Sequence, residues 1–151
     1  MNSVKHFAQS VLYSLTLATA LVVGVSSRGL AQSLYNPIRV LPANEISDTL
    51  SESDIPTGQG GFARDYRVSL QAGDQVAIDL VSDSFDTIVT LLADDGSTIA
   101  ENDDGPDGTT NSLLFTRITQ SGDYIVRVRS FGEATGGLFT LKITRLRPVE
   151  S

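Results

Sequence analysis

Tyr66-Arg67-Val68-Ser69-Leu70-Gln71-Ala72-Gly73-Asp74-Gln75-Val76-Ala77-Ile78-Asp79-Leu80 is the stretch that decides the fold. Tyr66, Val68 and Leu70 alternate with Arg67 and Ser69; Val76, Ile78 and Leu80 alternate with Ala77 and Asp79. Successive side chains of a strand point to opposite faces, so a period of two places one face in a core and the other in water. Ala72-Gly73-Asp74 between the runs carries the residue types of a turn. The same signal recurs further along. Tyr124, Val126 and Val128 alternate with Ile125, Arg127 and Arg129, and Phe139, Leu141 and Ile143 alternate with Thr140, Lys142 and Thr144. Asp95-Gly96, between Ile88–Ala93 and Thr98–Glu101, predicts a hairpin, because glycine accepts the positive φ of a tight turn. A further short strand is expected around Ile46–Leu50, and no window after the N-terminal segment keeps a helical period over ten residues.

These runs predict an all-β protein, an antiparallel β-sandwich of about eight strands with a jelly-roll-like path. The expected inward set is Tyr66, Val68, Leu70, Val76, Ile78, Leu80, Val89, Leu91, Leu114, Ile118, Tyr124, Val126, Val128, Phe139, Leu141 and Ile143. At ~1.5–3 kcal/mol per buried large apolar side chain, it supports one domain and leaves little for a second.

The N-terminal segment differs in kind. Met1 to Leu30 has no acid, two basic residues (Lys5 and Arg28) and an apolar run densest from Leu15 to Val25, followed by Gly29-Leu30-Ala31. That order describes a secretory signal peptide over 1–31, cut between Ala31 and Gln32, with a cut after Ser27 as the alternative. Ser14, Thr16 and Thr19 interrupt the run, leaving it short of the ~20 residues of a membrane span. Residues 32–45 read as an extended lead-in and 46–147 as the sandwich. The expected location is secreted or periplasmic, without stable membrane insertion after cleavage.

Of 11 basic and 18 acidic residues in the chain, removal of 1–31 leaves 9 against 18, a net charge of −9. Such a chain repels nucleic acid and anionic lipid. With no cysteine, the exported domain relies on its core rather than on disulfides.

A family pattern runs through the same residues. In order come Asp65-Tyr66-Arg67-Val68-Ser69-Leu70, Ala72-Gly73-Asp74-Gln75-Val76 and Phe85-Asp86-Thr87-Ile88-Val89-Thr90-Leu91. Then follow Gly96-Ser97-Thr98-Ile99-Ala100-Glu101-Asn102-Asp103-Asp104, Ser112-Leu113-Leu114, Gly122-Asp123-Tyr124-Ile125-Val126-Arg127-Val128 and Gly137-Leu138-Phe139-Thr140-Leu141. Together, over about Ile46 to Leu146, they resemble the bacterial pre-peptidase C-terminal domain. The resemblance implies an accessory β-sandwich of the kind that trails secreted peptidases, with relatives in clostridial collagenases that bind collagen and calcium. With no peptidase domain expected ahead of the module, peptidase activity is not carried over.

No catalytic residue is expected. The one histidine, His6, lies in the predicted signal peptide, so Ser-His-Asp and Cys-His arrangements and the usual zinc ligand sets are missing from the rest. Lys142 alternates outward and reads as a solvated lysine. A hydrolase using carboxylates alone is the enzymatic alternative. It is disfavoured because there is no tryptophan to line a sugar cleft, and Tyr66 and Tyr124 point inward.

Between Arg67 and Arg117 there is no lysine or arginine and there are ten acids. Glu101, Asn102, Asp103, Asp104 and Asp107 crowd one loop and are the candidate calcium ligands, since calcium takes six to eight oxygens. Asp54 with Asp65 is a second candidate pair. No other cofactor is expected. The competing reading is preferred: Asn, Asp, Gly and Pro are what turns are made of, and the loop is solvated. Asp86 with Thr87 reads as a structural pair. Arg117, Arg127, Arg129, Lys142, Arg145 and Arg147 follow the acidic stretch and are expected mainly to pair across strands or guard edges. Phe62, Phe115 and Phe131 are the candidate outward aromatics. The function expected is a secreted, non-catalytic binding or accessory module, calcium-stabilised if the loop binds the ion, that engages an envelope or extracellular polymer or a partner protein. A purely structural calcium-binding envelope protein is the remaining alternative.

Overall fold

The computed structural model describes residues 35–146, apart from 43, 59, 107 and 133–135. The predicted signal peptide and its cut, Asp107 and Arg147 therefore lie outside the described residues. Ten strands are present among them: β1 (Ile38–Arg39), β2 (Glu45–Leu50), β3 (Ile55–Pro56), β4 (Phe62–Leu70), β5 (Gln75–Val81), β6 (Thr87–Ala93), β7 (Thr98–Asn102), β8 (Ser112–Arg117), β9 (Gly122–Ser130) and β10 (Gly137–Leu146). β1 and β3 are two-residue pairings on β4, so the long strands are the eight that the alternation predicts. None of the described residues forms a helix long and apolar enough to cross a membrane.

Sheet A runs β1-β4-β9-β6-β7, with β3 also on β4, and sheet B runs β2-β10-β5-β8. Every connection between successive long strands crosses from one sheet to the other except the β6–β7 hairpin, which gives the jelly-roll path. The hairpin turns as the sequence predicts. Gly96 has φ +84°, its amide donates to Ala93 O at 2.9 Å, and the Ala93 amide donates to Ser97 O at 2.8 Å.

Every residue of the expected inward set is buried. Leu50, Val40 and Phe85 join the same core, and Phe139 lies edge-on to both Tyr66 and Phe85 at 6.3 Å between ring centroids. Phe62 corrects the expectation of an outward aromatic. It shares the phase of Tyr66 and Val68 on β4 and packs against the core. Phe115 and Phe131 do face out. Ile88 and Leu92 sit on the outer phase of β6 yet are buried as well, because β6 lies inside sheet A with covered neighbours.

Candidate binding surface at the loop end

Five connections meet at one end of the sandwich, because the registers Gly137↔Leu50, Ala63↔Arg129, Thr87↔Ser130, Val89↔Asn102 and Leu80↔Ser112 bring the matching strand ends together. These are residues 51–54, 57–61, 82–86, 103–111 and 131–136, and none contains lysine or arginine. Backbone bonds join three of them: Phe131 N bonds Asp86 O at 2.8 Å, and Thr87 N, which follows the 82–86 loop, bonds Thr110 O at 2.9 Å, while Leu113 N of β8 bonds Asp104 O at 3.0 Å. Ser82 fixes the 82–86 loop from beneath. Its hydroxyl donates to Leu138 O at 2.8 Å and accepts from the amides of Ser84 and Phe85. The Thr87 and Ser112 hydroxyls, both buried, meet at 2.6 Å. At this end Glu52, Asp83, Asp86, Asp103 and Asp104 are exposed, and their carboxylates have no hydrogen bond or ion pair among the described residues.

A cleft of about 390 Å³ opens beside them, lined by Glu101, Asn102, Asp103, Arg129 and the exposed ring of Phe131. It adjoins a shallower cleft of about 310 Å³ on the outer face of sheet A, where Ile55, Pro56, Thr90 and Arg127 contribute; Glu101 and Arg129 belong to both. Glu101 accepts from the Thr90 hydroxyl at 2.7 Å and from Arg129 Nη2 at 3.0 Å. The Thr90 bond, helped by Arg129 and opposed by burial, holds its carboxyl below the usual range.

Several acids elsewhere are matched by arginine. Toward the opposite end, Arg67 and Arg39 flank Asp123 at 3.5 and 3.8 Å, and Asp123 also accepts from the Ser69 hydroxyl. Arg145 Nε lies 2.9 Å from Asp74, an ion-pair contact without the angle of a hydrogen bond, while its Nη2 donates to Ser69 O at 3.0 Å. One further cluster was missed by sequence reasoning, and one cross-strand pair was expected for Arg127. Asp48 of β2 points between the sheets, where Arg64 donates at 2.6 Å and the Tyr66 hydroxyl at 2.8 Å. Arg64 also donates to Asp54 at 2.8 Å. Burial pushes the Asp48 carboxyl up, but bonds from Arg64, Tyr66 and the Thr49 amide outweigh it and hold the group below its ordinary value. On the outer face of sheet A, Asp65 receives both Nε and Nη2 of Arg127 at 2.8 Å and the Tyr35 hydroxyl. Burial, then the bond to Asp65, pushes the Tyr35 phenol up to about 12.

Residues 63–130, spanning β4 to β9, match the sequence model of the bacterial pre-peptidase C-terminal domain. That match covers the middle of the sandwich. Among solved structures, the chain is similar to the pre-peptidase C-terminal domain of collagenase from Bacillus anthracis, with a TM-score of 0.57, 12% identity, and 72% of this chain and 95% of that one covered. It is likewise similar to PliG of Aeromonas hydrophila, a periplasmic inhibitor of g-type lysozyme, with a TM-score of 0.55, 14% identity, and coverage of 74% and 96%. At such identities the likeness is one of fold. No curated protein matches the chain.

Among the described residues the candidate calcium ligands Glu101, Asn102, Asp103 and Asp104 are engaged in different ways. Glu101 is engaged by Thr90 and Arg129, and the Asn102 amide donates to Asp104 O and Leu113 O, each at 2.8 Å, tying the loop to β8. Asp103 and Asp104 point to solvent. Asp54 and Asp65 serve opposite faces of β4, since their guanidinium partners, Arg64 and Arg127, lie on the inner and outer phases respectively. Among the described residues no three His, Cys, Asp or Glu side chains are placed to hold a metal ion. Asp107, the fifth member of the loop set, lies outside them.

Proposed function

We propose that this chain is an exported, non-catalytic pre-peptidase C-terminal module that docks a cationic surface of a partner protein or envelope polymer through its acidic loop end. The observation that carries the reading is the contrast in how acids are used. On loops free of lysine and arginine, three of them joined by backbone bonds, five carboxylates stand without partners among the described residues, beside a cleft with an exposed phenylalanine. Loops ordered in advance by such bonds lower the entropy cost of docking, and like charges on one end steer a basic partner toward it.

The cleft chemistry supports a binding role over a hydrolytic one. A general acid at neutral pH needs a raised carboxyl pKa, whereas Glu101 is shifted the other way. The fold is also one on which another protein, PliG, inhibits g-type lysozyme, so a protein partner suits it.

Affinity capture from envelope and extracellular fractions, with the wild type beside a variant carrying Asp83, Asp86, Asp103 and Asp104 each changed to Asn, tests the reading. The wild type recovers a basic protein or polymer that high salt releases and the variant does not retain. Equal recovery by both chains contradicts the proposal. A g-type lysozyme is the first purified protein to try.

A further inference from the structure

The two sheets leave four edges, and three of them resist pairing with another strand. β1 and β3, on one side of sheet A, are bounded or interrupted by Pro37, Pro42 and Pro56, which cannot donate to a ladder. β7, on the other side, carries Glu101 and runs into Asp103-Asp104, so a second copy of it would face like charges. The β2 edge of sheet B carries Glu45 and Asp48. β8 alone has neither proline nor acid: it reads Ser112-Leu113-Leu114-Phe115-Thr116-Arg117, with Phe115 60% exposed.

Its open groups can be identified. Leu113 turns its amide to Asp104 O and its carbonyl to the Asn102 side chain, away from β5, whereas Ile118 faces the β5 side through Asp74 O and Gly73 N. Backbone groups of an antiparallel strand alternate in direction, so Phe115 and Arg117 share the outward aim of Leu113. Among the described residues no bond outside the β5 ladder reaches them, and the Arg117 guanidinium has no ion pair. Phe115 and Arg117 also share the outer face of sheet B.

We propose that β8 pairs with β8 of a second copy of this chain, antiparallel about a two-fold axis through Thr116. In that register Phe115 of each copy lies opposite Arg117 of the other. The pair closes two hydrogen-bonded rings and sets each guanidinium against a phenyl ring, a complementary cation–π contact made twice. A strand with an aromatic and a cation two residues apart is its own complement, as an isologous contact requires. Sheet B then continues across the axis as eight strands, and the two loop ends point in opposite directions. The dimer is bivalent, independently of what those loops bind.

Sedimentation equilibrium up to about 1 mM protein tests the proposal. The mass rises toward twice the monomer with concentration, and more steeply at high salt, because screening relieves repulsion between copies of net charge −7. Phe115→Lys sets like charges opposite one another twice and weakens the dimer by roughly tenfold or more, while circular dichroism and the melting midpoint stay unchanged. Because the chain has no cysteine, Thr116→Cys reports the register directly: mild oxidation links it into a disulfide dimer faster than Thr49→Cys on β2. A wild type monomeric throughout, a Phe115→Lys variant that associates as well as wild type, or equal cross-linking at both cysteines would overturn it.

Discussion

The two ends of the sandwich spend their acids differently. At one, Asp74 and Asp123 are held by Arg145, Arg67 and Arg39. At the other, Glu52, Asp83, Asp86, Asp103 and Asp104 face solvent without partners, on loops whose backbone is bonded with care. A chain with half as many bases as acids after its first 31 residues cannot neutralise every carboxylate; where the arginines are placed is therefore informative. Those among the described residues sit on strands, and at the loop end only Arg64 and Arg129 reach an acid there, Asp54 and Glu101. The clamped acids belong to the fold, and the open ones are left for whatever docks.

Breaking a clamp is expected to cost most. Arg64→Ala strips the partner from Asp48 and Asp54 at once and leaves two partly buried carboxylates between the sheets, a loss of about 3 kcal/mol by urea unfolding. Asp65→Ala leaves Arg127 and the Tyr35 hydroxyl without their acceptor, and because Arg127 keeps some access to water the loss is nearer ~2 kcal/mol. Acid acts on the same clamps. Asp48 and Glu101 have depressed pKa values, so their stabilisation is present above the unfolded value near about 4 and disappears as pH falls through the lower folded values. Urea midpoints should accordingly drop steeply below about pH 4 and less so in Arg64→Ala.

Alkali acts in the opposite sense on Tyr35. Its folded pKa of about 12 exceeds the unfolded value of about 10, so its contribution is complete below the latter and vanishes as pH rises through the former. Tyr35→Phe costs about 1 kcal/mol at neutral pH. Its stability should then fall less than that of the wild type across this alkaline range. A smaller effect is expected from calcium. With Glu101 and Asn102 already committed, about 1 mM calcium against chelator moves the melting midpoint by less than ~1 °C. A larger rise would give the 101–107 loop back to the ion.

The same division explains what could be read from the sequence. The sandwich was legible because its core strands carry clean two-residue alternation, and burial follows phase from Tyr66 through Ile143 except on the inner strands β6 and β9, where Ile88, Leu92 and Ile125 are covered as well. The Asp48–Arg64–Tyr66 cluster left a trace in that phase. Arg64 falls in step with Phe62, Tyr66 and Val68, and Asp48 with Ile46 and Leu50, which is where a strand hides a paired charge. Nothing local announces Asp65. It sits on the water-facing phase, yet it is buried, with Tyr35, thirty residues earlier, and Arg127 of β9 both bonded to it. The loop acids were visible as a run, but their openness was not, since it depends on where arginines from β4 and β9 reach in three dimensions.

The most direct test is the unfolding free energy of the chain with Asp83, Asp86, Asp103 and Asp104 all changed to Asn. If these carboxylates take no part in holding the fold, the variant unfolds within about 0.5 kcal/mol of the wild type, or is slightly more stable as mutual repulsion is relieved. A loss well above ~1 kcal/mol would mean that the loop end needs its charges to fold, and the distinction between clamped and open acids would fail.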